Sequence, residues 1–260
     1  IVEYEKTTGQ TVISGMGELH LEILTNRMMR EFGVTANVGP PQVAYKETVA
    51  AVGRGEGRFE KQAAGKGQFG HVCLEVRPYA EGDFSFENRL AGGVLDKGYV
   101  EATARGVRGA LEAGVLAGFP VTAVAVVLYH GSYHPVESTP LAFEIAAQLA
   151  FRAAMQKAQP QLLEPYSIME IVTPEDYVGD VLNDLNGRRG EVIGMENRAD
   201  AQVIRAVCPI AETFGYATAL RAVTQGRATY AMEFSRYDKV PKSIADQILR
   251  RTRGFIPKFE

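Results

Sequence analysis

Proline constrains this chain more than any other residue, because it fixes φ and removes a backbone donor. Gly39-Pro40-Pro41 can continue neither a helix nor a strand, and Pro160 and Pro165 bracket a second interruption. These breaks divide 260 residues into three stretches. Length alone predicts about two domains, with room for three small ones.

The first stretch reads strand, strand, helix, strand. Val2 and Tyr4, then Thr11 and Ile13, alternate around the turn Thr8-Gly9-Gln10; Leu19, Ile23, Leu24 and Met28 follow at helical spacing, with Gly33 as a stop. That is too little chain for an independent core, so the piece reads as an incomplete domain. The middle stretch opens with Val43, Tyr45 and Val49 and passes a Gly/Arg turn region. Strands then flank a glycine-rich loop, from Arg58 to Ala63 and at Val72, Leu74 and Val76. A helix through Val100, Ala104, Val107 and Leu111 ends at Gly114 and Gly118; Val121 to Tyr129 reads as a buried strand. A second helix runs from about Pro140 to Ala158, capped by Ser138 or Thr139 with proline in its first turn. From Pro165 the order is strand, helix, strand, strand, helix, strand. The first helix is announced by Thr173-Pro174-Glu175-Asp176 and the second spans about Ala211 to Val223. Strand-helix-strand twice over describes a ferredoxin-like split βαβ domain, and the whole reads as a multi-domain α+β protein.

Apolar content of 46% with 23% charged residues allows real cores. No apolar run approaches the ~18 residues that cross a bilayer, and no signal peptide opens the sequence. The expectation is a soluble cytoplasmic protein without a membrane partner. Cys73 and Cys208 lie far apart in strand-like runs and read as buried free thiols, neither a disulfide framework nor a metal site. A net charge of −3 gives no global attraction to nucleic acid, so any RNA contact must come from local patches.

Four motifs carry candidate chemistry. Gly65-Lys66-Gly67-Gln68-Phe69-Gly70 matches G-x-G-x-x-G, but His71-Val72-Cys73-Leu74-Glu75-Val76 alternates like a strand where a dinucleotide site needs a helix. The better reading is a flexible hairpin tip, where Lys61, Lys66 and His71 supply donors and Phe69 a stacking ring, a combination suited to RNA. Gly131-Ser132-Tyr133-His134-Pro135-Val136-Glu137-Ser138 is a polar loop; His134 and Glu137 lack a nucleophile in any recognisable arrangement. Glu18, His20 and Glu22 follow Gly15-Met16-Gly17, but His20 shares no helical face with either acid, so metal binding is not expected. Arg188-Arg189-Gly190 closes a helix, where cations suit the dipole and also make a plausible phosphate contact. With no G-x-x-x-x-G-K-[ST] in the chain, it is not expected to hydrolyse GTP or ATP, and no catalytic residue is assigned.

In order along the chain, long blocks resemble the C-terminal part of bacterial elongation factor G, the ribosomal translocase. They are Ile13 to Ile23, Val38-Gly39-Pro40-Pro41-Gln42-Val43-Ala44-Tyr45, Gly65 to His71, and Gly131 to His134. Two more follow, Gly179-Asp180-Val181-Leu182-Asn183-Asp184-Leu185-Asn186 and Phe214-Gly215-Tyr216-Ala217-Thr218. The resemblance implies that residues 1–45 are part of a ferredoxin-like domain III and 46–164 a ribosomal-protein-S5-like domain IV. Residues 165–260 would be a ferredoxin-like domain V with a C-terminal helix. It implies RNA contact at the domain IV tip through Gly65, Lys66, Gly67, Gln68, Phe69, Gly70, His71, Ser132, Tyr133 and His134. It also implies contact with 23S rRNA and the L11 region through Arg188 and Arg189, and a surface at Gly17 and His20 that faces the GTPase domain. The implied partners are the ribosome (16S and 23S rRNA), tRNA, mRNA and the factor's own GTPase domain, with the protein monomeric. No cofactor is expected in this stretch; GTP and Mg belong to the intact parent, a GTPase.

One departure separates the chain from the family pattern. An acidic residue usually follows the tip histidine, with Asp-Ser-Ser-Glu beyond; here Pro135 and Glu137-Ser138-Thr139-Pro140 stand instead. A paralogue specialised in ribosome recycling is therefore an alternative. A tetracycline-resistance ribosomal protection protein shares the domain plan but differs at the tip. A nucleotide-dependent enzyme using Gly65–Gly70 is disfavoured by the strand that follows.

Overall fold

The computed structural model describes residues 2–5, 9–15, 18–39, 41–63, 66–198 and 200–254. The chain forms two compact units, one of residues 1–44 with 164–238 and one of residues 45–163 with 239–260.

In the first unit, β1 (Val2–Glu5) and β2 (Gln10–Ile13) pair antiparallel, and α1 (Glu18–Glu31) follows. The strand expected after α1 is not formed; residues 34–39 have no regular structure. The remainder is β8 (Pro160–Thr173, entering this unit at residue 164), α4 (Val178–Gly187), β9 (Glu191–Arg198), β10 (Ala201–Pro209), α5 (Tyr216–Val223) and β11 (Thr229–Lys239). Strand order β11-β8-β10-β9 with antiparallel β8/β10 and β10/β9 pairs is the ferredoxin-like arrangement. Met169 and Ile171 of β8 and Ile204, Ala206 and Cys208 of β10 meet Val181 and Leu185 of α4 and Tyr216 and Leu220 of α5 in one core. Thr173 does not cap α4 as expected: a single 3-10 turn over Glu175–Tyr177 intervenes, and α4 starts after Tyr177 without a side-chain cap. The second helix is likewise shorter than expected, since Gly215 at φ 73° separates a 3-10 turn, Ile210–Glu212, from α5.

The second unit is a four-stranded sheet, β4 (Gly53–Ala63), β5 (Lys66–Pro78), β7 (Val124–Ser132) and β6 (Phe84–Asn88), covered by α2 (Lys97–Ala113) and α3 (Pro140–Lys157). β6, absent from the sequence reading, pairs parallel with β7 through the α2 crossover. Alternation along β5 and β7 sends Val72, Leu74, Val76, Val124, Val126 and Leu128 to the helices, where Phe143, Phe151 and Met155 of α3 complete the core. Thr139 caps α3 through Oγ1, which accepts from the Ala142 N–H at 3.2 Å.

The Gly/Arg region expected as a turn is β4 itself. Gly53, Gly55 and Gly57 face α3, and a Cβ on any of them would lie 1.9–2.2 Å from a carbonyl oxygen of Ala154, Ala150 or Ala146. Only glycine against alanine lets strand and helix backbones approach this closely.

β3 (Lys46–Val49) pairs antiparallel with residues 160–163. Its Glu47 is fully buried, and both carboxylate oxygens accept from the backbone N–H groups of Val115, Leu116, Ala117, Gly118 and Phe119 at 2.6–3.1 Å. The C-terminal helix, α6 (Lys242–Arg253), packs Leu249, Ile244, Ala245 and Ile248 with Leu116, Ala117 and Leu162. It therefore packs within the second unit. None of the described helices is long and apolar enough to cross a membrane.

Candidate nucleic-acid interface

The candidate site occupies one end of the second unit. β4 and β5 pair without interruption from Gly53↔Val76 to Ala63↔Lys66, whereas β7 accompanies β5 only as far as His71↔Ser132. Beyond that point β4 and β5 continue as a two-stranded ribbon. The glycine-rich stretch is thus mostly strand, not the flexible loop expected: Lys66 to Gly70 all lie in β5, and Gly65 lies outside the described residues.

The segment after β7 runs along this ribbon. The Phe69 N–H donates to the Glu137 carbonyl at 2.8 Å, and Phe69 and Ser138 form a parallel bridge. A Cβ on Gly67 would lie 2.2 Å from Cδ of Glu137, so this carboxyl group occupies the space that glycine leaves open. His134 is fixed from its own loop. Its N–H donates to Ser138 Oγ at 2.8 Å, and its Nδ1 accepts from Glu137 N–H at 3.2 Å and Val136 N–H at 3.4 Å. Because Nδ1 is an acceptor, the neutral ring carries its proton on Nε2 and can donate outward; the side chain is 49% exposed. The ring centroid lies 6.4 Å from that of Phe69, whose other neighbour is the Arg58 guanidinium at 5.5 Å. Tyr133, half exposed, stacks toward Tyr99, which stacks on buried Phe143 and donates to the Ser138 carbonyl. Two segments some sixty residues apart in the chain (residues 66–71 and 132–138) thus make one surface with two rings, an imidazole donor and exposed Val136.

The other expected residues divide. His71 turns to the sheet face away from α3, held between Ser132 Oγ at Nδ1 (2.8 Å) and Glu56 at Nε2 (3.0 Å). Cys73 lies beside it, its thiol pushed up by burial and then by Glu56. In the first unit, Arg188 donates to Asp184 and the Glu212 carbonyl and lies over the Tyr216 ring. Arg189, at φ 60°, donates to the buried Glu164 carboxylate and lies near Glu212. Both guanidiniums therefore have internal partners. His20 is exposed on α1, and Gly17 lies outside the described residues.

Sequence reasoning missed Glu137 and Ser138 as the residues that join the two segments, and Arg58 as the cation on Phe69. No local pattern marks them, since each acts through a partner supplied by another strand.

Residues 41–159 match the family model for elongation factor G, domain IV, residues 161–248 that for the elongation factor G C-terminus, and residues 1–40 that for domain III. The chain belongs to the elongation factor G family. A crystal structure of a protein from Thermus thermophilus is similar over 98% of this chain, at 41% identity with a TM-score of 0.87. The chain spans 38% of that protein's length. The ribbon and the 132–138 segment therefore belong to domain IV of an elongation factor G, and the ferredoxin-like sheet of β8 to β11 to its C-terminal region.

Proposed function

We propose that this chain is the ribosome-binding arm of an elongation factor G, acting in the cytoplasm as a monomer. Its domain IV tip enters the decoding centre and promotes GTP-dependent movement of tRNA and mRNA. The observation that carries this reading is the hydrogen bond from Phe69 N–H to the Glu137 carbonyl, which makes one recognition surface from two segments. A hydrogen-bonded ribbon on a packed sheet suits the task, because it holds donors in place without ordering a loose loop on contact. Gly67 to Gly70 lets a nucleic-acid backbone come close, Lys66 brings charge, and His134 Nε2–H and the Phe69 and Tyr133 rings offer a donor and stacking faces.

No bond is made or broken by these residues. Tip contacts replace those between tRNA and the decoding site, and the bulk of the domain opposes backward slippage. GTP and Mg act in the GTPase domain of the intact parent, and Gly17 and His20 are the residues proposed to face it. In the C-terminal domain, Arg188 and Arg189 lie near the 23S rRNA and L11 contact. With both guanidiniums internally paired, their part is to shape that surface.

In the full-length factor, Lys66→Ala and His134→Ala are expected to slow single-round translocation while leaving ribosome-stimulated GTP hydrolysis unchanged. Wild-type translocation rates in both variants would remove the tip assignment. Pro135 after His134 favours a second reading, a paralogue that splits ribosomes instead of translocating them. A subunit-splitting assay run beside the translocation assay separates the two.

A further inference from the structure

Among the described residues, Glu56, His71 and Cys73 bring a carboxylate oxygen, an imidazole nitrogen and a sulfur within 4.8 Å of one another. Strand pairing creates the cluster. Glu56 on β4 stands opposite Cys73 on β5, Cys73 opposite His130 on β7, and His71 lies two residues from Cys73 on the same face. His71 Nε2 is 3.0 Å from Glu56 Oε1 and 3.8 Å from Cys73 Sγ. Tetrahedral zinc, with bonds of about 2.0–2.3 Å, places its ligand atoms about 3.3–3.8 Å apart, so small side-chain shifts admit the ion. On the far side of the ring, Nδ1 lies 2.8 Å from Ser132 Oγ. A partner there is what a ligating histidine needs: it keeps the proton on Nδ1 and leaves the Nε2 lone pair for the metal. Cys73 is 8% exposed and Glu56 is open to solvent, so an ion reaches the sulfur past the carboxylate. His130 stands edge-on to His71 with ring centroids 5.8 Å apart, beside the remaining position.

We infer that Glu56, His71 and Cys73 form a zinc-binding site on the domain IV sheet face turned away from α3, with water or His130 as fourth ligand. Sulfur, nitrogen and oxygen together suit zinc and exclude magnesium and calcium, which take oxygen ligands. Binding replaces the His71–Glu56 hydrogen bond, and the Cys73 thiol gives its proton to water as the zinc–sulfur bond forms. The ion ties β4 to β5 where the ribbon leaves the four-stranded sheet. The site shares His71 and Ser132 with the two tip segments, but zinc binding itself requires no ribosome.

The test uses the 260-residue chain, stripped of metal with a chelator and titrated with cobalt(II), then with zinc against a chromophoric chelator. One equivalent of cobalt is expected to produce a thiolate-to-metal charge-transfer band that zinc abolishes. Cys73→Ala should remove the band, and Glu56→Gln and Ser132→Ala should each weaken zinc binding by about 10–100-fold. Glu56 and Ser132 are exposed, so both variants are expected to fold, which circular dichroism verifies. A wild-type chain without the band, a band that survives Cys73→Ala, or zinc affinity unmoved by Glu56→Gln would each overturn the assignment.

Discussion

Tyr216 carries the buried side-chain oxygen that lacks a hydrogen-bond partner among the described residues. Its ring is well used, edge-on to Tyr230 at 5.0 Å and beneath the Arg188 guanidinium at 5.2 Å. Tyr216→Phe keeps those contacts and removes the unsatisfied hydroxyl, so it is expected to raise stability by about 1 kcal/mol in urea denaturation. Glu47 is the opposite case. Glu47→Gln keeps the shape and one acceptor oxygen but turns an amide N–H toward backbone donors, so either Val115 and Leu116 on one oxygen or Ala117, Gly118 and Phe119 on the other lose their acceptor. With unsatisfied buried groups costing about 1–3 kcal/mol each, a loss of at least about 2 kcal/mol is expected. Burial pushes the Cys208 thiol up to about 11 from its ordinary 9.0, with Glu212 adding to the shift. The unfolded chain then loses this proton first as pH rises, so Cys208 contributes a fall in stability between pH 9.0 and about 11. Comparing the pH profile with that of Cys208→Ala isolates this contribution.

At the scale of elements, β4 against α3 is the most exacting contact. A Cβ on Gly55 would lie 2.2 Å from the Ala150 carbonyl oxygen and 2.4 Å from the Ala154 nitrogen, both backbone atoms of a helix. Gly55→Ala must therefore push α3 off the sheet and is expected to cost about 3 kcal/mol, read from the thermal midpoint. The sequence showed half of this contact. Ala142, Ala146, Ala150 and Ala153 give the α3 sequence small side chains that permit close approach to a sheet. The glycines of β4 looked like a turn, because strand propensity counts side chains and a glycine strand has none to count. The tip shows the same limit. Phe69 and His134 were legible as candidates from their loops, but Glu137 holds Phe69 through a backbone carbonyl, which carries no residue-type signal. The Glu56, His71 and Cys73 cluster was invisible for a related reason: its spacing along the chain matches no metal motif, and antiparallel register alone assembles it. The ferredoxin-like unit was the most readable, because its helices and strands alternate with distinct periods; its errors lay at helix starts, where 3-10 turns took the place of a cap.

At the scale of the molecule, this chain carries domain IV and the C-terminal domain of an elongation factor G and spans 38% of the length of a solved Thermus thermophilus relative. Under the proposed function, ribosome binding by the chain alone is expected to be far weaker than by the intact factor, since linked contacts multiply affinity by about 10²–10⁴. It should also weaken steeply with salt, as phosphate contacts do. Co-sedimentation with ribosomes over a salt series measures both, and binding equal to that of the intact factor would contradict it. The buried Glu47 carboxylate has a consequence for how the second unit opens. The amides of Val115, Leu116 and Ala117 belong to no helix or strand, yet a carboxylate from β3 holds each of them away from water. In deuterated buffer this irregular stretch should retain its protons as long as the central strands do, releasing them only when the whole unit unfolds.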